Sequence, residues 1–305
     1  MLLLGVNSIY ESLVMKQHEV VFNVARALGI SEESEIKLTK LKMGLTNQSF
    51  LATFDGSCYV VRLNNPRSAE LGIERCVESF NLKIVSEARV CPEVVFNDGR
   101  MVITKFIKGR NFLLSSPSAA QALSIELKKV HLGTSFRSIF CPFSSAFNYL
   151  ALSKQSGFQQ SPESIEIGLK IQKTQLKYRK TKFSFSPCHC DLTASNIIQT
   201  KDKVWVLDWE YSAMSDYLYD FAKIAVSTNM VEETKVIYLS EFLGRPPSSD
   251  EYFRFSLLIA AVMWWDYCWS IYQSCRDVER IDIYLRDASN RLHMLEKYFI
   301  NDVII

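Results

Sequence analysis

The stretch His189-Cys190-Asp191-Leu192-Thr193-Ala194-Ser195-Asn196, followed by Val206-Leu207-Asp208-Trp209-Glu210, concentrates the side chains able to do chemistry in this 305-residue chain. Moving a phosphoryl group onto a hydroxyl needs a carboxylate beside the acceptor oxygen, to orient it and take its proton. It also needs hard oxygen ligands for the magnesium that bridges the phosphates. An Asp followed by an Asn five positions on, in a loop leading into a strand, can supply that carboxylate and one metal ligand. An Asp closing the next strand completes the metal set. The pattern assigns Asp191 as catalytic base and Asn196 and Asp208 as magnesium ligands. Singly, each has a plainer use as turn cap, loop amide or strand-end acid; their order and spacing favour the chemical reading.

Other elements have to position these residues. Ile36–Met43, Ser49–Phe54 and Cys58–Leu63 are short runs rich in β-branched and aromatic residues, and Asp55-Gly56-Ser57 marks a hairpin between the second and third. Ala69–Ala88 has the apolar spacing of a helix, and Val94–Phe96 and Met101–Ile107 flank the turn Asn97-Asp98-Gly99. The order β-β-β-α-β-β predicts an antiparallel sheet with one crossing helix. After Gly109 helical spacing dominates, broken by a hairpin that Asn196 opens and Asp208 closes, bringing both side chains to one end. The expected fold class is α+β: a small antiparallel-sheet lobe over residues 16–107 and a large, mostly helical lobe over 108–305, hinged near Thr104–Gly109.

Between the first two strands, Met43–Ser49 contains a single glycine, Gly44, and on pattern alone reads as a plain turn more readily than as a phosphate loop. In the second case, backbone amides near Gly44 and the hydroxyls of Thr46 and Ser49 would bond phosphate oxygens. The helical pattern Ala260–Gln273 is unusually aromatic. Trp265 and Trp269 lie four apart on one face, Tyr272 continues that face, and Tyr211 could add a wall. Such stripes serve as core or as a ligand surface.

Composition excludes several classes. Thirty-five basic residues against 33 acidic ones leave no surplus for a nucleic-acid surface. No apolar run approaches the ~18 residues that cross a bilayer, and the apolar opening Met1–Val6 lacks the basic flank of a secretory signal. Eight scattered cysteines without a Cys-x-x-Cys pair read as reduced thiols in a cytoplasmic protein.

The segment from His189 through Ala225 resembles the core of the choline/ethanolamine kinase family, within the wider aminoglycoside-phosphotransferase-like kinases. The resemblance implies a protein-kinase-like two-lobe fold, ATP and magnesium. It places Asp191, Asn196 and Asp208 in the roles given above and makes Asp220 a structural brace for the catalytic loop. The quartet Asp208-Trp209-Glu210-Tyr211 is more typical of choline and ethanolamine kinases than of antibiotic kinases. Gly44-Leu45-Thr46-Asn47 resembles the family's phosphate loop, adding Asn47 to the nucleotide site. Arg62 stands where protein kinases carry a phosphate-pairing lysine, and its partner would be Glu78, with Glu74 the competitor one turn earlier. Thr104–Ile107, with Thr104 and Phe106 as its site residues, would hold adenine through the backbone. A quaternary ammonium has no proton to donate, so aromatic faces and carboxylates would bind it. Trp265, Trp269, Tyr272, Tyr211, Glu210 and Asp266 are the candidates, although Asp266 stands where the family has a second tryptophan. Choline is the expected acceptor; ethanolamine, thiamine and an aminoglycoside stay open, as does a catalytically weak nucleotide-binding regulator.

Overall fold

The structure, a computed structural model, describes residues 17–31, 36–41, 46–114 and 116–300. The chain forms two compact units. The first takes the chain up to Arg110 together with Ile198–Tyr211; the second takes Asn111–Ile197 and the chain from Ser212 onward. The segment that ends in Asp208 therefore belongs with the first unit.

In the first unit, α1 (Gln17–Leu28) precedes β1 (Lys37–Leu41), β2 (Gln48–Phe54) and β3 (Ser57–Leu63); α2 (Arg75–Glu87) then leads to β4 (Val94–Asn97) and β5 (Met101–Lys105). The five strands form one antiparallel sheet in the order β1-β2-β3-β5-β4. Strand alternation sends Val61 and Leu63 of β3, with Met101 and Ile103 of β5, to one face, where Val20 and Val24 of α1 cover them. The β2–β3 turn places Asp55 and Gly56 both at positive φ, 44° and 72°, the primed-turn geometry that matches strand twist. At the β4–β5 turn, Asp98 Oδ1 accepts the amides of Arg100 and Met101. The helix expected over Ala69–Ala88 is broken. Ser68–Leu71 forms a 3-10 turn, Gly72 ends it at φ 73°, and α2 starts only at Arg75.

The chain continues through β6 (Arg110–Asn111), α3 (Pro117–His131), α4 (Pro142–Gln155), α5 (Pro162–Tyr178), β7 (Phe185–Cys188), β8 (Ile197–Gln199), β9 (Val204–Val206), β10 (Ala213–Asp216), α6 (Leu218–Ser227), α7 (Glu232–Leu243), α8 (Ser249–Ser274) and α9 (Ile281–Ile300). Strands β8 and β9 are joined by a turn in which the Thr200 amide donates to the Lys203 carbonyl at 2.9 Å. In the second unit β7 pairs antiparallel with β10, Cys188 opposite Ala213. Neither strand stands out in the sequence, because Pro187 lies inside β7 and is tolerated only in so short a ladder.

Helix α8 is the axis of this unit. Ser248 caps it, accepting the Glu251 amide while Glu251 reaches back to the Ser248 amide. Between Arg254 and Ser274 every residue but Asp266 and Trp269 is buried, as expected of a helix that is apolar all round. Helices α4, α5, α6 and α9 pack against it. No helix among the described residues is long and apolar enough to cross a membrane.

Gly109 lies against β8. A Cβ there would collide with the Ile198 side chain and stand 2.7 Å from the Gln199 carbonyl oxygen. We expect Gly109→Ala to destabilise by about 1–3 kcal/mol, read as a lower Tm; an unchanged Tm would show that β8 yields freely.

Candidate active site

The first unit contains a chain of alternating charges. Arg62 lies opposite Ser49 in the β2–β3 register. One terminal nitrogen of its guanidinium pairs with Glu78, and the other donates to Asp208 Oδ1 at 2.6 Å. Glu78 also accepts from Arg75 Nη1 at 2.6 Å, and that nitrogen reaches Glu210 Oε2 at 3.0 Å. Asn47 completes the run: Nδ2 donates to Glu210 Oε2 at 2.8 Å, and Oδ1 accepts from Arg75 Nη2 at 3.1 Å. The carboxylate that meets Arg62 is thus Glu78, while Glu74 is exposed. Burial works against the charge on Arg62, but Glu78, Asp208 and Glu210 outweigh it and hold the guanidinium protonated. Burial likewise pushes the Glu78 carboxyl up; Arg62 and Arg75 overcome this and hold it below the usual range. For Glu210 burial wins, with the Asp208 charge adding to it, and its carboxyl is pushed up to about 7.

Asp208 sits in the left-handed region, φ 61°, which non-glycine residues seldom enter. Its neighbour explains how it is held. Trp209 is buried, and its indole N–H donates to the Val206 carbonyl at 3.0 Å. Of the other expected nucleotide residues, Thr46 and Ser49 are half-buried, and Gly44 lies outside the described residues. Thr104 is in β5 opposite Val60. The Phe106 ring is exposed, but its amide already donates to the Cys58 carbonyl at 3.0 Å. Tyr211 is half-buried at the end of the returning segment.

In the second unit the loop after β7 is gripped from inside. Asp220, wholly buried on α6, accepts the amides of His189 and Cys190 at 2.9 Å each, and its Oδ2 lies 2.8 Å from His131 Nε2. Cys190 between them is left-handed, φ 64°. Asn196 Nδ2 donates to the Asp191 carbonyl at 3.0 Å, so its amide nitrogen is turned toward the loop backbone. Asp191 Oδ1 stands 3.0 Å from Lys223 Nζ. Burial pushes the Asp191 carboxyl above the ordinary carboxylate range, against the pull of Lys223 and His189.

Lys223 also meets Asp266 Oδ1 at 2.6 Å, and Arg291 holds the second oxygen of Asp266 at 3.2 Å. Of the aromatic residues expected along α8, Trp265 and Tyr272 are buried. The Trp265 indole N–H donates to Ser145 Oγ at 2.9 Å, and Tyr272 stacks on Tyr149 at 5.6 Å between centroids. Trp269 stacks on Trp265 at 6.4 Å and keeps partial exposure. Arg75 and Lys223 went unnoticed in the sequence. Each carried a signal: Arg75 stands one turn before Glu78 on the same helical face, and Lys223 is a single cation in an apolar run.

A five-stranded antiparallel sheet with one crossing helix, followed by a mostly helical unit that carries this loop, defines a protein-kinase-like α+β fold. Residues 38–238 match the Choline/ethanolamine kinase family, and the chain belongs to it. Protein LicA of Haemophilus influenzae is 26% identical over 210 residues, which span 66% of this chain and 61% of that protein. The choline kinase LicA from Streptococcus pneumoniae superposes with a TM-score of 0.75 at 19% identity, covering 93% of this chain and 98% of the other. A LicA solved in complex with AMP gives 0.74 at 18% identity, over 93% and 100%.

Asp220→Ala would leave two backbone amides buried without an acceptor. We expect it to cost about 3 kcal/mol or more, with lower Tm and faster hydrogen exchange at the amides of His189 and Cys190. Protection that survives the substitution would show that another group holds the loop.

Proposed function

We propose that this chain moves the γ-phosphoryl of ATP onto the hydroxyl of choline. The carrying observation is the setting of Asp191. Its loop is clamped by Asp220, one carboxylate oxygen is engaged by Lys223, and the side chain that carries the second is 27% exposed. That second oxygen accepts the proton of the acceptor hydroxyl as the acceptor oxygen bonds to the γ-phosphorus. The bond to the ADP oxygen breaks, and ADP carries off the electron pair. A raised carboxyl at Asp191 makes the ionised form a stronger base.

Asn196 and Asp208 offer an amide oxygen and a carboxylate, hard donors that suit magnesium; when bound, the ion neutralises charge on the phosphates. Arg62, held charged by its acids, is the proposed phosphate contact. The likeness to a LicA solved with AMP supports the nucleotide, and the likeness to a choline kinase supports the acceptor. Among the α8 candidates Trp269 is proposed for the ammonium, since it keeps exposure where Trp265 and Tyr272 do not. Eight free cysteines, four of them buried, fit a reducing, cytoplasmic setting.

ADP release with magnesium-ATP, measured against choline, ethanolamine, thiamine and kanamycin, tests the reading. Choline turnover should fall by roughly 10²–10⁴-fold in Asp191→Ala. Turnover of kanamycin with none of choline would replace the acceptor, and a chain that binds no nucleotide would sink the proposal. Separately, Trp269→Ala should raise the choline KM by about tenfold and leave the ATP KM nearly unchanged; equal effects on both would make that residue packing alone.

A further inference from the structure

Lys223 lies in the middle of α6 with 4% of its side chain exposed. An ammonium buried so deeply stays charged only among acids. Two are present, Asp191 at 3.0 Å and Asp266 at 2.6 Å from Nζ, and the Trp265 ring lies beneath it, 4.4 Å to the centroid. The cradle is braced on every side. Arg291 from α9 holds the far oxygen of Asp266, and Ser145 from α4 fixes the indole of Trp265. His189 from the loop and Tyr219 from α6 also face the cluster. Its fixed charges balance, two carboxylates against one ammonium and one guanidinium.

Such an arrangement does more than neutralise a buried acid. The terminal torsion of an aspartate is soft and broad, and Asp191 keeps 27% side-chain exposure, so nothing in its own backbone decides which oxygen is presented. We propose that Lys223 is a positioning residue for the reaction: its ammonium, fixed by Asp266 and the face of Trp265, holds Oδ1 of Asp191 and leaves the second oxygen to the acceptor hydroxyl. This rests on the reading of Asp191 as the base. It has a corollary for the acceptor. The place above Trp265 and beside Asp266, chemically suited to a cation, is filled by the chain's own ammonium, so the charge of the acceptor is bound elsewhere.

The test is Lys223→Met in the full-length chain, with kcat and both KM values measured. We expect kcat to fall roughly 30-fold or more, as a misplaced catalytic group does, with the ATP KM changed less than about threefold. Lys223→Arg should recover part of kcat, because a guanidinium can still reach both acids. In an Asp191→Asn background, Lys223→Met should remove nothing further, since the group it positions is already disabled. A kcat within about twofold of wild type, or the same loss in both backgrounds, overturns the proposal. If Lys223→Met does not fold, Asp266→Asn carries the test by withdrawing the anchor and keeping the lysine. Lower kcat with ATP KM retained then supports the role, and unchanged kcat overturns it. A wild-type chain that turns over no alcohol in the panel overturns the parent reading and this one with it; a working wild type whose kcat ignores Lys223 overturns the positioning role alone.

Discussion

A single buried carboxylate, Asp220, sets the geometry on which the loop after β7 depends. Two successive amides, His189 and Cys190, aim at it. Consecutive amides converge on one acceptor only if the backbone departs from an extended course, and Cys190 makes that departure at φ 64°. A left-handed non-glycine residue costs on the order of 1 kcal/mol or more, and two charge-assisted hydrogen bonds inside the protein offset that comfortably. The carboxylate is itself seated by His131 Nε2. Asp191 follows directly, so its backbone is oriented by contacts it does not make. Asp208 presents the same local problem in the first unit and a different solution: its left-handed φ is upheld by Trp209, whose indole is buried and bonded to Val206.

Both units bury charge, and they balance it differently. In the first, Asp208, Glu78 and Glu210 alternate with Arg62 and Arg75, three acids to two cations, and burial, with the Asp208 charge adding to it, raises the Glu210 carboxyl to about 7. In the second, Asp191 and Asp266 are matched by Lys223 and Arg291. Taking such groups out of water costs several kcal/mol per ion, so these networks are poor devices for stability alone. They make sense as devices for orientation. Removing a buried member such as Glu78 or Lys223 leaves its partners without the charge they face.

Much of this was legible in the residues. Asp55-Gly56 announced the β2–β3 turn because few residue pairs accept two positive φ values. The apolar density of α8 announced a central helix, and the segment that carries Asp191, Asn196 and Asp208 pointed to the family. What was not legible depends on partners far along the chain. Gly72 looks like an ordinary helix glycine until its neighbours close a 3-10 turn around it. α1 mixes β-branched and aromatic residues whose local preferences disagree with the helix that the sheet packing imposes. Pro187 argues against a strand, and only the pairing of β7 with β10 overrides it.

Asp266 shows why substitution within an aromatic motif is hard to read from sequence. An acid beside Trp265 looks like a ligand for a substrate cation, since carboxylate and indole are the two groups such a cation seeks. The same pair seeks any cation, and a lysine one helix away is present at far higher effective concentration than a dissolved substrate. Lys223 satisfies Asp266 and the indole face together, and Arg291 takes the remaining oxygen. Displacing that lysine would leave its ammonium buried without acids, a cost of several kcal/mol that a weakly hydrated ammonium ligand cannot easily recover. A motif that appears to gain a binding residue has therefore gained an internal ion pair, and the acid reaches Asp191 through the lysine that both of them hold.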